Sequence, residues 1–121
     1  MSRRTTLALV ADALLIIIFA SIGRAEHERG NAVVGALSTA WPFLVGAGIG
    51  WLLVTRLGRR LPVEMGPGIT VWFCTVFLGM VLRRIAGDGT AFSFVIVASI
   101  VLAIFLLGWR AGYAWWVRPR R

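Results

Sequence analysis

Long uncharged blocks alternate with short charged segments along this chain of 121 residues. A helix needs about 20 apolar residues to cross a hydrocarbon core of roughly 30 Å. Four blocks are long enough, and they run from Thr5 to Gly23, Ala32 to Thr55, Met65 to Leu82 and Thr90 to Trp109. Backbone polar groups find no water to bond inside lipid, so each block should be a helix. The pattern therefore predicts an all-α, integral membrane bundle of four transmembrane helices, with residues 1–121 as a single domain.

The segments between the blocks are short, and turn residues lie at their ends: Gly30-Asn31, Gly66-Pro67-Gly68 and Gly87-Asp88-Gly89. None is long enough for a separate soluble domain. The first block, preceded by Ser2-Arg3-Arg4, has some features of a signal peptide. However, Asp12 interrupts its apolar stretch and no small-x-small cleavage site follows. We therefore expect the first block to remain as a span.

All 13 basic residues are arginines, and their distribution predicts the orientation of the chain. Cytoplasmic loops of membrane proteins carry an excess of Lys and Arg. With the N-terminus inside, nine arginines lie on the cytoplasmic side and four on the outer side. The nine are Arg3, Arg4, Arg56, Arg59, Arg60, Arg110, Arg118, Arg120 and Arg121, and the four are Arg24, Arg29, Arg83 and Arg84. We therefore expect a multi-pass protein of the cell membrane with both termini in the cytoplasm.

The composition supports a membrane protein and argues against two other classes. Hydrophobic residues make up 59% and charged residues 15%, and the mean hydropathy is +0.84. A net charge of +8 could indicate nucleic-acid binding, but the arginines lie at span ends, where anionic lipid headgroups attract them. We expect the lipid bilayer as partner and no nucleic acid. His27 and Cys74 alone cannot supply the roughly four ligands of a structural zinc site, so we expect no metal and no cofactor.

Asp12 is the sharpest candidate for a functional residue. It lies about seven residues into the first span, which is roughly 10 Å at 1.5 Å per residue. A carboxylate at that depth costs a few kcal/mol unless it is paired, hydrated or protonated. Asp12 could be a proton or cation site, or a counter-ion for a substrate. It could equally form a structural ion pair with Arg110 or Arg56, and the sequence leaves both readings open.

A second candidate is an outer-face cluster of Arg24, His27 and Arg83. Histidine can change its charge near neutral pH, and two arginines could face a lipid phosphate. A solvated loop explains the same residues, because Glu26 and Glu28 lie among them. No nucleophile and base stand at a convincing spacing, so we expect that the protein is not an enzyme.

Small residues in the second block predict a close helix contact. Gly46 and Gly50 are four residues apart, which places them on one face of a helix and lets a neighbouring backbone approach. This stripe could be an internal packing face or the interface of a homo-oligomer.

Taken together, several short motifs resemble the domain-of-unknown-function family 3054, small four-helix membrane proteins found largely in high-GC bacteria and haloarchaea. The motifs are Asp12, Ile22-Gly23-Arg24 with His27, Trp41-Pro42-Phe43, Gly50-Trp51, Thr75 to Gly79-Met80 with Arg83, Gly89-Thr90-Ala91-Phe92 and Leu107-Gly108-Trp109-Arg110. The resemblance covers nearly the whole chain. It implies the four-helix fold and brings no activity with it.

Two functions remain compatible with these residues. The first is a small transporter or channel that acts as a homo-oligomer, with Asp12 as its intramembrane site. The alternative is an accessory, assembly or lipid-binding subunit of a larger membrane complex. The most informative observation is whether Asp12 faces lipid, a helix partner or a water-filled cavity.

Overall fold

The computed structural model describes the backbone of residues 3–25, 32–58, 61–87 and 92–118, and the side chains of residues 3–22, 37–58, 61–87 and 92–118. These ranges contain the helices α1 (Arg3–Ala25), α2 (Ala32–Leu52), α3 (Met65–Ile85) and α4 (Phe92–Val117). A π-helical turn, Leu53–Leu57, continues α2. All four helices are long and apolar enough to cross a membrane. The prediction of an all-α, four-helix membrane fold is confirmed.

The helix ends follow local chemistry more than hydropathy. Helix α4 extends to Val117, well beyond the predicted end at Trp109, because no residue of that tail before Pro119 prevents a helix. Helix α3 ends in a turn at Gly87, whose φ of 92° is readily adopted only by glycine. In the π-helical turn, the Gly58 amide donates to the Leu53 carbonyl at 2.9 Å.

Consecutive helices are antiparallel and form a closed ring, since each contacts the next and α4 returns to α1. Residues early in α1 meet residues late in α2 and α4, as the hydrogen bonds from Trp51 and Arg110 to Asp12 demonstrate. We call the end of the bundle near Arg3, the segment 61–64 and Val117 the termini end. The opposite end, where α3 finishes at Ile85, is the far end.

The bundle carries its large apolar side chains on the outside as well as in the core. Small residues such as Ala8, Ala40 and Ala47 are fully buried, which lets the backbones approach closely. Leu7 and Ile104, by contrast, are 58% and 63% exposed. An exterior of this kind suits lipid, because hydrocarbon solvates it as well as the core does. The four apolar helices and this exterior are those of a multi-pass membrane protein.

Candidate functional site

Two charged side chains interrupt the apolar core stripes of α1 and α4. On α1 the stripe runs through Ala8, Asp12 and Ile16, and on α4 through Leu106 and Arg110; all five are 0% exposed. Residues four apart lie on the same face of a helix. The sequence thus directs both charges into the bundle in register with hydrophobic neighbours, at the termini end of the core.

Asp12 and Arg110 form a two-pronged ion pair. Nη1 of Arg110 donates to Oδ1 of Asp12 at 2.8 Å, and Nη2 donates to Oδ2 at 2.7 Å. Both side chains are 0% exposed. Parallel hydrogen bonds of this type are short and strong, and they fix the relative orientation of the two planar groups. The pair therefore ties α1 to α4 and neutralises both charges within the apolar core.

Two tryptophans complete the surroundings of the carboxylate. Nε1 of Trp51 donates to Oδ2 of Asp12 at 2.9 Å, and Nε1 of Trp109 donates to Oδ1 at 2.8 Å. Each carboxylate oxygen thus accepts two N–H groups, one from Arg110 and one from an indole. An indole N–H is only a donor, so the two oxygens of Asp12 act as acceptors toward the tryptophans as well as Arg110. The bond from Trp51 also links α2 to the pair.

The remaining polar atoms of Arg110 bind backbone carbonyls. Its Nε donates to the carbonyl of Pro62 at 2.7 Å, and Nη1 also donates to the carbonyl of Leu106 at 2.9 Å. Pro62 is fully buried, so the segment 61–64 contacts the pair at the termini end. Gly68 makes room for the arginine stem, because a Cβ at that position would overlap Cδ and Nε of Arg110.

The cluster of Asp12, Arg110, Trp51 and Trp109 is neutral and closed. Every buried side-chain nitrogen and oxygen among the described residues has a hydrogen-bond partner. In a core of low dielectric, a satisfied network of this kind is rigid, whereas removal of one member leaves a costly unpaired group. Each oxygen of Asp12 already accepts two N–H groups, so a ligand that bound the carboxylate would compete with these donors.

The half of the core toward the far end contains a cluster of aromatic rings. Phe19, Phe43 and Phe94 contact one another with centroid separations of 5.7 to 6.4 Å. Phe43 lies against Gly79, where an added Cβ would be 2.5 Å from the ring. Among the described residues, the only other buried polar side chain is Thr75, which donates to its own helix at the Val71 carbonyl. The aromatic rings therefore separate Asp12 from the far end.

The structure brings together some of the residues that the sequence singled out and separates others. Asp12 contacts Arg110, while Arg56 is exposed within the π-helical turn. Arg83 lies with its guanidinium carbon 4.6 Å from the centre of the Phe94 ring. The side chains of Arg24 and His27 lie outside the described residues, so the outer-face cluster stays a prediction. The described part of the chain holds no group of three or more potential metal ligands.

Gly46 and Gly50 form an internal packing face. A Cβ at Gly46 would be 2.6 Å from the Cys74 carbonyl, and one at Gly50 would be 3.0 Å from Cα of Val71. Both glycines are buried against α3. Of the two alternatives that the sequence left open for this stripe, the structure therefore favours packing within one bundle over an oligomer interface.

Sequence reasoning missed three members of the site, namely Trp51, Trp109 and Pro62. Trp51 and Trp109 stand near span ends, where tryptophans normally mark the membrane interface. The sequence did contain a signal for the two tryptophans. If neighbouring helices are antiparallel, the start of α1 lies beside the ends of α2 and α4, where Trp51 and Trp109 are found. The Pro62 carbonyl carries no side-chain signal at all.

Comparison with known proteins decides the family and leaves the activity open. A family model described as "Protein of unknown function (DUF3054)" matches residues 9–113, which include Asp12, Arg110 and both tryptophans. The chain belongs to DUF3054. No curated protein and no solved structure matches the chain. The resemblance expected from the sequence motifs is confirmed, and the family description assigns no activity to this DUF3054 protein.

Proposed function

We propose that this DUF3054 protein is an accessory membrane subunit that acts by binding at its lipid-facing surface, and that it is neither a transporter nor an enzyme. The observation that carries the proposal is the closed interior. Asp12 accepts four N–H groups, and three phenylalanines fill the core between it and the far end. The described residues form no polar route through the centre of the bundle, which leaves the outer surface as the place for a binding function. We place it in the cell membrane with both termini in the cytoplasm.

Transport through Asp12 is the second candidate. The observation in its favour is that the loop segment 61–64 contacts the ion pair at the termini end, where the Pro62 carbonyl accepts a hydrogen bond from Nε of Arg110. If that loop moved, a cationic substrate could exchange with the guanidinium of Arg110 on the carboxylate. Such a protein would work as a homo-oligomer or would have to open the phenylalanine cluster.

Flux measurements on purified protein in liposomes separate the two proposals. We expect proton and cation leakage, followed with enclosed dyes under an imposed gradient, to equal that of empty liposomes. A protein-dependent flux would refute the binding proposal. In that case Trp51→Phe and Trp109→Phe should change the flux, since each removes one donor to Asp12 and keeps both charges. Asp12→Asn is a poorer test, because it strands Arg110 in the core.

The binding proposal also makes a positive claim about native membranes. Mild solubilisation and affinity purification should recover the chain with a stoichiometric companion, either a protein or a lipid. Recovery of the bare chain under several detergents would contradict an accessory role, even if no flux were found.

A further inference from the structure

An apolar groove opens on the lipid-facing side between α3 and α4, toward the far end. Its volume is about 570 Å³. Its walls include Phe73, Phe77, Val81 and Arg84 from α3, with Val95 and Ser99 from α4. We propose that this α3/α4 groove is a specific site for one anionic phospholipid, with an acyl chain between the helices and the phosphate at Arg84. The proposal rests on the binding function proposed above and names the ligand.

The dimensions of the groove match one lipid leaflet. From Trp72 to Arg84 the groove follows α3 for twelve residues, about 18 Å at 1.5 Å per residue. One leaflet contributes about half of a hydrocarbon core of roughly 30 Å. A lipid lying along the groove would therefore place its headgroup level with Arg84, while its chain ends near Trp72 in the middle of the bundle.

The groove is apolar along most of its length, where it can contact a hydrocarbon chain. The charged residue of its lining, Arg84, lies at the end of the groove nearest the far end of the bundle. Nε1 of Trp72 donates to the Ser99 carbonyl at 2.9 Å, and Oγ of Ser99 donates to the Val95 carbonyl at 2.7 Å. These polar groups are satisfied within the protein. Phe73 and Phe77 stack with their ring centres 5.7 Å apart and are more than half exposed, so they form an apolar wall.

Arg84 supplies the charge that distinguishes this site from ordinary lipid contact. It is exposed at the last turn of α3, and its neighbour Arg83 lies over Phe94 beside the groove. Arginine binds phosphate oxygens through paired N–H groups. An anionic headgroup adds a net negative charge, which basic residues near a membrane surface attract.

A second copy of the chain is a poorer occupant. Close helix pairing in membranes uses small residues, whereas the rings of Phe73 and Phe77 stand on the α3 wall. On α4, Gly108 and Gly112 are the exposed glycines of the described residues, and neither lines the groove.

The test measures lipid affinity by native mass spectrometry of the delipidated full chain, with phosphatidylglycerol and phosphatidylcholine as probes. Arg84→Gln should weaken phosphatidylglycerol binding about fivefold, the effect of one basic residue near an anionic surface, and leave phosphatidylcholine binding unchanged. Val81→Trp should weaken both lipids, because it fills the groove from an exposed position. Arg4→Gln and Ile104→Trp are matched controls on exposed residues outside the groove, and neither should change affinity.

Three results would overturn the lipid site. Equal effects of Arg84→Gln and Arg4→Gln would mean general attraction of anionic lipid. Unchanged binding in Val81→Trp, with a monodisperse chain in gel filtration, would mean that lipid lies elsewhere. A dimer abolished by Val81→Trp would mean that a second copy occupies the groove. Any of these results would refute the lipid site but not the proposed binding function, which rests on the closed interior. The proposed function would be refuted by a protein-dependent flux across liposomes, and that measurement does not depend on lipid affinity.

Discussion

Asp12 and Arg110 form an ion pair in which both side chains are 0% exposed. A single charge in the middle of a membrane helix costs a few kcal/mol or more, but the pair is neutral and each partner satisfies the other. The tryptophan donors and the Pro62 carbonyl complete the arrangement. Stability should therefore respond very differently to the loss of one charge and to the loss of both.

We predict strong coupling between substitutions of the two charged residues. Asp12→Leu and Arg110→Met should each lower the free energy of unfolding by about 3–5 kcal/mol, because each strands a buried charge. The double variant should be less destabilised than the sum of the two. Thermal unfolding in detergent, followed by intrinsic fluorescence, measures this difference. Arg110→Lys is the matched control, since it keeps the charge and loses the planar fork.

Additive effects of Asp12→Leu and Arg110→Met would contradict this account. So would an Arg110→Lys variant as stable as the parent, because an ammonium group cannot reproduce two parallel hydrogen bonds together with the bond to Pro62.

At the scale of single residues, the sequence predicted the carboxylate within the membrane but only some of the groups that bind it. Asp12 was evident as the carboxylate of an apolar block, and Arg110 was one of its two proposed partners. The tryptophans were not predicted, since a residue near a span end is equally suited to the interface and to the core. The alignment of neighbouring helices along their axes decides whether such a tryptophan lies at the interface or in the core. That alignment depends on the helix ends, which hydropathy locates only approximately.

The contact between α2 and α3 is the closest approach of two helices that the glycines of this bundle reveal. Gly46 faces the Cys74 carbonyl, whereas Gly48, two residues along, has nothing within 4 Å of a built Cβ. Helix association in lipid relies on packing, so the space at Gly46 has a direct structural role. The two glycines make a matched pair of positions on one helix.

We predict opposite responses to alanine at these positions. Gly46→Ala should destabilise the bundle by about 1–3 kcal/mol, as overpacking commonly does. Gly48→Ala should be neutral or stabilising, since alanine favours a helix over glycine by about 0.5–1 kcal/mol. Thermal unfolding of both variants in the same detergent is the measurement. Equal effects would mean that α2 and α3 are not packed through Gly46.

At the scale of elements, spacing and composition predicted the four helices, and the structure corrected their ends. Apolar length does not distinguish the lipid-embedded part of a helix from its continuation into the interface. Helix α4 therefore extends through Tyr113 and Trp115 to Val117. The glycine stripe likewise predicted a contact face on α2 but did not identify the helix that packs against it. The structure shows that this helix is α3, which runs antiparallel to α2.

The whole molecule has an even number of spans, so both termini lie on the same side of the membrane if each helix crosses once. Which side that is depends on the arginines near the helix ends. Arg110 is 0% exposed and paired, so it should no longer be counted among the interfacial cations. Its removal leaves eight arginines on the termini side against four on the other, and the bias survives.

We predict that reporters fused to the N-terminus and to the C-terminus will both be cytoplasmic. If the charge bias sets this orientation, neutral replacements of five termini-side arginines should disturb it, because they leave three arginines against four. The five are Arg3, Arg4, Arg56, Arg59 and Arg60. Replacement of Arg3 and Arg4 alone leaves six against four and should change nothing. Reporters that were both external would contradict the orientation and spare the fold, whereas reporters on opposite sides would contradict the four crossings themselves.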